Sequence, residues 1–118
     1  MRTIIAGSRG ITGDRVVEEA VSRIDWPITT VISGGAAGVD SLGEQWARRN
    51  GIPCETYPAD WKQHGRSAGY KRNAQMAEIA EALLAIWDGQ SRGTKHMIDI
   101  ACARGLRVLI VVREQLSS

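Results

Sequence analysis

At 118 residues, 43% of them hydrophobic and 24% charged, the chain is sized and balanced as one globular domain, long enough to bury a core without disulfides or a structural metal. A formal net charge of +2 suits an anionic small molecule and argues against the strong positive field of a dedicated DNA-binding domain. No apolar run approaches membrane-spanning length and the sequence opens on a strand-like run with no visible signal peptide, so the expectation is a cytoplasmic protein with no membrane partner.

In chain order, Thr3-Ile4-Ile5-Ala6 reads as a buried strand closed by Gly7. The first helix is expected to begin near Thr12 or Asp14, either of which can cap it, and to carry Val17, Ala20, Val21 and Ile24 at helical spacing until Pro27 breaks it. Residues 29–33 form a second strand and Gly34-Gly35 its turn. The second helix carries Val39, Leu42, Trp46 and Ala47 and stops at Asn50-Gly51. Residues 53–57 make a short third strand, 58–65 a polar loop, and 67–80 a third helix. Residues 82–87 are the fourth strand. A helix with Met97, Ile98, Ala101 and Cys102 on its apolar side ends at Gly105, and 107–112 is the last strand.

Five strands alternating with four helices predict a single α/β domain over residues 1–118, Rossmann-like, with a five-stranded parallel sheet and helices on both faces. The near-continuous apolar strands fit burial on both faces. With no Phe and four Trp, tryptophan supplies much of the aromatic bulk. Trp26 or Trp46, if exposed, would support a homodimer or larger assembly. Cys54 and Cys102 match no metal-ligand spacing and read as buried free thiols in a reducing compartment. His64 and His96 are isolated, so no metal is expected.

Ligands of open parallel sheets bind beyond the carboxyl ends of the strands, and the unusual residues collect there. Gly34, Gly35, Ala36 and Gly38 lead directly into the second helix. Such small residues let an anion reach backbone N–H groups and the helix dipole, although a tight packed turn has the same composition. Ser91, Gly93 and Thr94, after Asp88 and Gly89, repeat the theme with hydroxyls that either cap a helix or bond a phosphate oxygen. Gly7, Ser8 and Arg9 follow the first strand without the spacing of a dinucleotide fingerprint or a P-loop. Arg72 offers a planar fork for phosphate, with Asn73 beside it, in a basic stretch that includes Arg66 and Lys71; Arg92 and Lys95 flank the last of these loops. Tyr57 and Trp61 either stack on a base or cover the core edge. Asp40, Asp60 and Asp88 are the carboxylates available to hold a ribose or to act as catalytic acid or base.

Taken together these segments carry a family resemblance. SGGAAGVDSLGEQWA resembles the SG-x-A-x-G-[IV]-D segment of the DNA-processing protein DprA (Smf). RNAQMAEIAEALLAIWDGQSRGTKHMIDIA resembles the Lonely Guy run, in which R-K-x-x-M and a strand precede P-G-G-x-G-T-x-x-E. Both belong to the SLOG superfamily of Rossmann-like domains, and GSRG, YPADW, AGYKRNAQM and WDGQSRGT resemble its small stand-alone bacterial and phage branch. The resemblance implies that Gly34, Gly35, Gly38, Gly93 and Thr94 line a nucleotide phosphate site and that Arg72 matches the Lonely Guy active-site arginine. Met97 stands where Lonely Guy enzymes carry their catalytic Glu, and Asp88 or Gly89 replaces the start of P-G-G, so phosphoribohydrolase activity does not carry over.

The expected partner is therefore a nucleotide-derived small molecule such as an ADP-ribose-like compound, with no further cofactor. The alternatives are hydrolysis of an N-glycosidic or phosphate bond with Asp40, Asp60 or Asp88 as the acting carboxylate, and DprA-like binding of single-stranded nucleic acid, which the modest charge disfavours.

Overall fold

The computed structural model describes residues 1–13 and 15–113, with Arg66 described in its backbone only. Five strands, β1 (Arg2–Gly7), β2 (Thr30–Ser33), β3 (Cys54–Thr56), β4 (Ala82–Trp87) and β5 (Arg107–Val112), form one sheet in the order β3-β2-β1-β4-β5. All pairings are parallel, with Ile4 opposite both Ile32 and Leu83. The Rossmann-like α/β architecture is as the sequence predicts.

Each helix takes the side of the sheet that the pleat offers it. Ile5, Val31, Leu84, Ile86 and Val111 pack with Val16, Val17 and Ala20 of α1 (Val16–Val21) and with Val39, Trp46 and Ala47 of α2 (Val39–Arg49). The alternate residues Ile4, Ala6, Ile32, Leu83 and Ala85 face the other way. They meet Met76 and Ala77 of α4 (Ala68–Ile79) and Met97, Ile98 and Ala101 of α5 (Arg92–Ala103). Among the described residues no helix is long and apolar enough to cross a membrane.

Several local expectations are corrected. α1 is shorter than its periodicity suggests and starts after Arg15 with no side-chain cap; Thr12 does not cap it, and Asp14 lies outside the described residues. The stretch 58–65 is not a plain loop: it contains α3 (Trp61–His64), followed by a 3-10 turn at Gly65–Ser67. Asp60 caps α3 by accepting the Gln63 N–H at 3.1 Å, a D-x-x-Q capping pattern that was readable in the sequence. Both cysteines are exposed rather than buried. Cys102 sits about 40° further around α5 than Ile98, which is already the edge of the apolar stripe.

Trp26 and Trp46 are only 7% and 8% exposed, so neither offers a surface for self-association. Trp26 donates its indole N–H to Thr3 Oγ1 at 3.1 Å and lies under the Arg107 guanidinium, which explains how so large a side chain is accommodated at the sheet end.

Candidate functional site

The strand order places a topological switch between β1 and β4: the chain winds outward from β1 through β2 to β3, then returns to build β4 and β5 on the other side. The loops after β1 and β4 therefore diverge and open a crevice at their carboxyl ends. A cavity of about 470 Å³ lies there. Ala6, Gly7, Met76 and Met97 make its apolar floor, Ser8, Arg9 and Gly10 one bank, and Asp88, Ser91, Gly93 and Thr94 the opposite bank. Gly69, Tyr70, Arg72 and Asn73 of α4, with Trp61 of α3, close a third side, and Ala36 and Asp40 stand behind.

Within this cavity the sequence-predicted residues have unequal roles. Arg72 is half-buried and donates to the Gly34 carbonyl and, through Nε, to Asn73 Oδ1 at 3.1 Å. Asn73 passes the connection on to the Gly93 carbonyl at 3.2 Å and to His96 Nδ1 at 3.1 Å. Burial lowers the Arg72 pKa below the usual guanidinium range, against the raising effect of the Asp40 carboxylate, and nearby Arg9 lowers it further. Arg9 thus faces the same region with the same charge, and neither guanidinium belongs to an ion pair among the described residues.

The glycine-rich turn after β2 is organised differently from the phosphate loop that its composition suggests. The Gly35 N–H donates to Ser33 Oγ at 3.1 Å and the Ala36 N–H to Asp40 Oδ2 at 3.3 Å, so these amides are satisfied inside the turn. Gly34 leaves room for Arg72, whose Nη1 would lie 2.5 Å from a Cβ there. Gly34, Gly35 and Gly38 do not line the cavity. Ser8 is also structural: its Oγ accepts the Asp88 N–H at 3.1 Å and its carbonyl accepts the N–H groups of Ile11 and Val39.

The opening of α5 retains the anion-friendly character. Gly93 lines the cavity in its first turn, and a Cβ there would meet nothing within 4 Å, so the backbone is open to close approach. Ser91 caps the helix through Thr94 N and contacts Thr94 Oγ1 at 3.2 Å. Asp88 accepts the Ser91 and Gln90 N–H groups at 2.8 Å each, and these two bonds hold its carboxyl below the usual range. Gly89 is exposed beside this turn but is not part of the lining.

Tyr57 donates to Glu55 Oε1 at 2.8 Å and packs against the α4–α5 core instead of the cavity, and Asp60 is occupied as the α3 cap. The lining residues that sequence reasoning missed, Gly69, Tyr70 and Met76 above all, carry a recoverable signal, and Met97, at the position of the Lonely Guy glutamate, lines the cavity as well. Gly69, Arg72, Asn73 and Met76 fall at i, i+3, i+4 and i+7, one face of a helix, and Met97 lies one turn after Gly93 and Thr94. Among the described residues no three His, Cys, Asp or Glu side chains gather as a metal site.

Among the described residues Asp40 is the one acidic side chain buried in the cavity wall, at 5% exposure. Burial pushes its carboxyl from 3.8 up to about 6, against the lowering effects of the Ala36 N–H and Arg72. Folded Asp40 therefore keeps its proton to a higher pH than the unfolded chain does. Its proton-linked contribution to stability is complete below 3.8 and is lost as the pH rises from 3.8 through about 6. That loss amounts to as much as about 3 kcal/mol at neutral pH. Asp40→Asn is expected to remove this slope. Urea unfolding of both proteins across the window measures it, and parallel curves would contradict the assignment.

A parallel sheet wound in this order, with a mixed polar and apolar cleft at its switch point, defines a Rossmann-like α/β fold. More particularly, the chain belongs to the SLOG family described as YspA, cpYpsA-related (YAcAr), whose sequence profile matches residues 1–64. It is also similar to the Gene 61 protein of Mycobacterium phage D29, 34% identical over 92% of this chain and 94% of that one. No solved structure matches it. The profile match ends at α3, so Arg72, Gly93 and Thr94 are positioned by the fold and not by that match.

Proposed function

We propose that the cleft binds a nucleoside phosphate or a related nucleotide-derived phosphate. The observation that carries this reading is the convergence of Arg9, Arg72 and the open first turn of α5 on one cavity. Arg9, Arg72 and the first turn of α5 supply the donors for an anion, while the Asp88 carboxylate on the same cavity is already engaged by the Gln90 and Ser91 N–H groups. The cavity volume of about 470 Å³ and the apolar floor suit a small organic phosphate better than a bare ion. The phosphate is assigned to the Arg9, Arg72 and Gly93 side. Titration calorimetry with AMP, ADP-ribose and adenosine tests this: both phosphates should bind, with adenosine roughly 100-fold weaker or worse. A folded protein that binds neither phosphate, or that binds adenosine equally well, would overturn it. A single-stranded DNA oligomer in the same panel tests the strand-binding alternative, whose affinity should fall steeply with salt.

A second reading is favoured by Asp40, a buried carboxyl in the same wall that holds its proton close to neutral pH. With Met97 unable to act as acid or base, the carboxyl assigned to hydrolysis of an N-glycosidic bond in this reading is Asp40, because Asp88, which lines the same cavity, is engaged by the Gln90 and Ser91 N–H groups. In that reaction the base leaves with the electrons of the C1′–N bond and gains a proton, while water supplies the oxygen at C1′. Product analysis after prolonged incubation with AMP decides it: released adenine and ribose 5-phosphate, abolished in Asp40→Asn, would support turnover. Intact AMP would leave a binding protein.

A further inference from the structure

The geometry points to a nucleobase slot at the mouth of the cleft, in which the planar ring of a nucleoside phosphate stacks on Trp61 and extends across Gly69 toward Tyr70. This rests on the phosphate-binding reading above and adds which chemical group lies at the opposite end of the ligand. Two of the three large hydrophobic side chains left exposed among the described residues are Trp61 (52%) and Tyr70 (45%), and both line this one cavity. The third, Ile110, lies on edge strand β5. Exposing an indole is costly and is ordinarily avoided, so two aromatic rings held at the rim of one polar cleft mark a surface that a planar partner covers.

The rings are held in place. Tyr70 packs against the His96 ring, with centroids 4.4 Å apart and planes tilted by 41°. Trp61 is set by α3, whose Asp60 cap fixes the helix start immediately before it. Its ring reaches over the first turn of α4, where a Cβ on Gly69 would be 3.5 Å from Trp61 Cη2 and 4.0 Å from Arg72 Nη2. The bare Gly69 backbone therefore lies between the indole edge and the guanidinium, so a ligand spanning it touches an aromatic face at one end and a cation at the other. That is the layout of a nucleotide, a π-surface joined to an anion through a sugar. The slot offers stacking with no described donor or acceptor set dedicated to one base edge, so it favours aromatic bases as a class over a particular base.

The test compares AMP with ribose 5-phosphate, which keeps the anion and lacks the ring. In the wild-type protein AMP is expected to bind roughly 10- to 100-fold more tightly. Trp61→Ala should reduce that preference to within about twofold, and Trp61→Phe should retain most of it. Because Trp61 is half exposed, its truncation leaves the core intact, and a thermal melt verifies this. Gly69→Leu, which fills the space between the indole and Arg72 from a helical position, provides a second variant and should also erase the preference. Intrinsic fluorescence gives an independent readout: AMP should quench the exposed Trp61, and most of the quench should vanish in Trp61→Phe, in which buried Trp26 and Trp46 and half-buried Trp87 remain. Equal wild-type affinities for the two compounds, or a preference that survives Trp61→Ala, would overturn the slot and leave the phosphate site standing. Failure of both compounds to bind would overturn the phosphate reading and the slot with it.

Discussion

Gly38→Ala is expected to destabilise the protein by about 3 to 5 kcal/mol, the sum of a strained backbone and an unrelieved overlap. Gly38 precedes α2 with φ 73° and ψ −127°, a region that side-chain-bearing residues rarely occupy. A Cβ there would lie 2.4 Å from the Arg9 carbonyl oxygen and 2.6 Å from that of Ser8. Both obstacles are backbone atoms, so no rotamer change clears them. The Ser8 carbonyl also accepts the Val39 N–H, so pushing the two loops apart breaks the contact that seats α2. A fall in melting temperature of roughly 15 °C follows. Gly89→Ala is the control: it has φ 83° but nothing within 4 Å, so only conformational strain of about 1 kcal/mol applies. If the two variants melt within a few degrees of one another, the Gly38 contact is not what joins the β1 and β2 loops.

Arg72→Ala should produce the largest loss of ligand affinity, about 100-fold or more for AMP. The side chain is a structural brace as well as a charge. It links the Gly34 carbonyl on the β2 loop to Asn73, and through Asn73 to Gly93 at the start of α5. Truncation removes a cation from the cleft and loosens two of its walls. Arg72→Lys should recover little of the loss, because a single ammonium cannot reproduce the planar fork that serves Gly34, Asn73 and a ligand. The Asp40 carboxyl should titrate higher in Arg72→Ala than in the wild type, since the guanidinium now lowers it. Carbon-detected NMR of the Asp40 side chain measures that shift, and an unchanged titration would mean that the two charges do not share the cavity. Calorimetry at fixed ionic strength measures the affinity, and a change below about threefold would remove Arg72 from the proposed phosphate site.

The sequence showed which elements meet at the cleft more reliably than it showed what each residue does there. Arg72, Asn73, Gly93, Thr94, Asp40, Ser8 and Arg9 were all identified from loop composition and helix starts, and all line one cavity. Gly34, Gly35 and Gly38 were identified on the same grounds and do not. A small-residue turn that cradles an anion and one that admits a neighbouring backbone or guanidinium have the same composition, and only the partner distinguishes them. Tyr57 and Trp61 looked equivalent as flanking aromatics, yet Tyr57 turns into the core with Glu55 as its polar partner while Trp61 remains at the cleft mouth.

What the sequence determined by itself were the properties that repeat along a short stretch of chain. The apolar runs at Ala82–Trp87 and Arg107–Val112 are the strands observed, and the Ser91 cap and the Asn50-Gly51 stop mark real helix ends. These follow from local backbone sterics and periodicity, which act over a few residues. The adjacency of β1 and β4, the meeting of Arg9 with Arg72, the use of the β2-turn amides within their own loop and the outward turn of Cys102 were decided by the tertiary structure alone. Each depends on atoms brought together from segments far apart in the chain, or on how wide a helix face the sheet covers. Local periodicity contains no information about either.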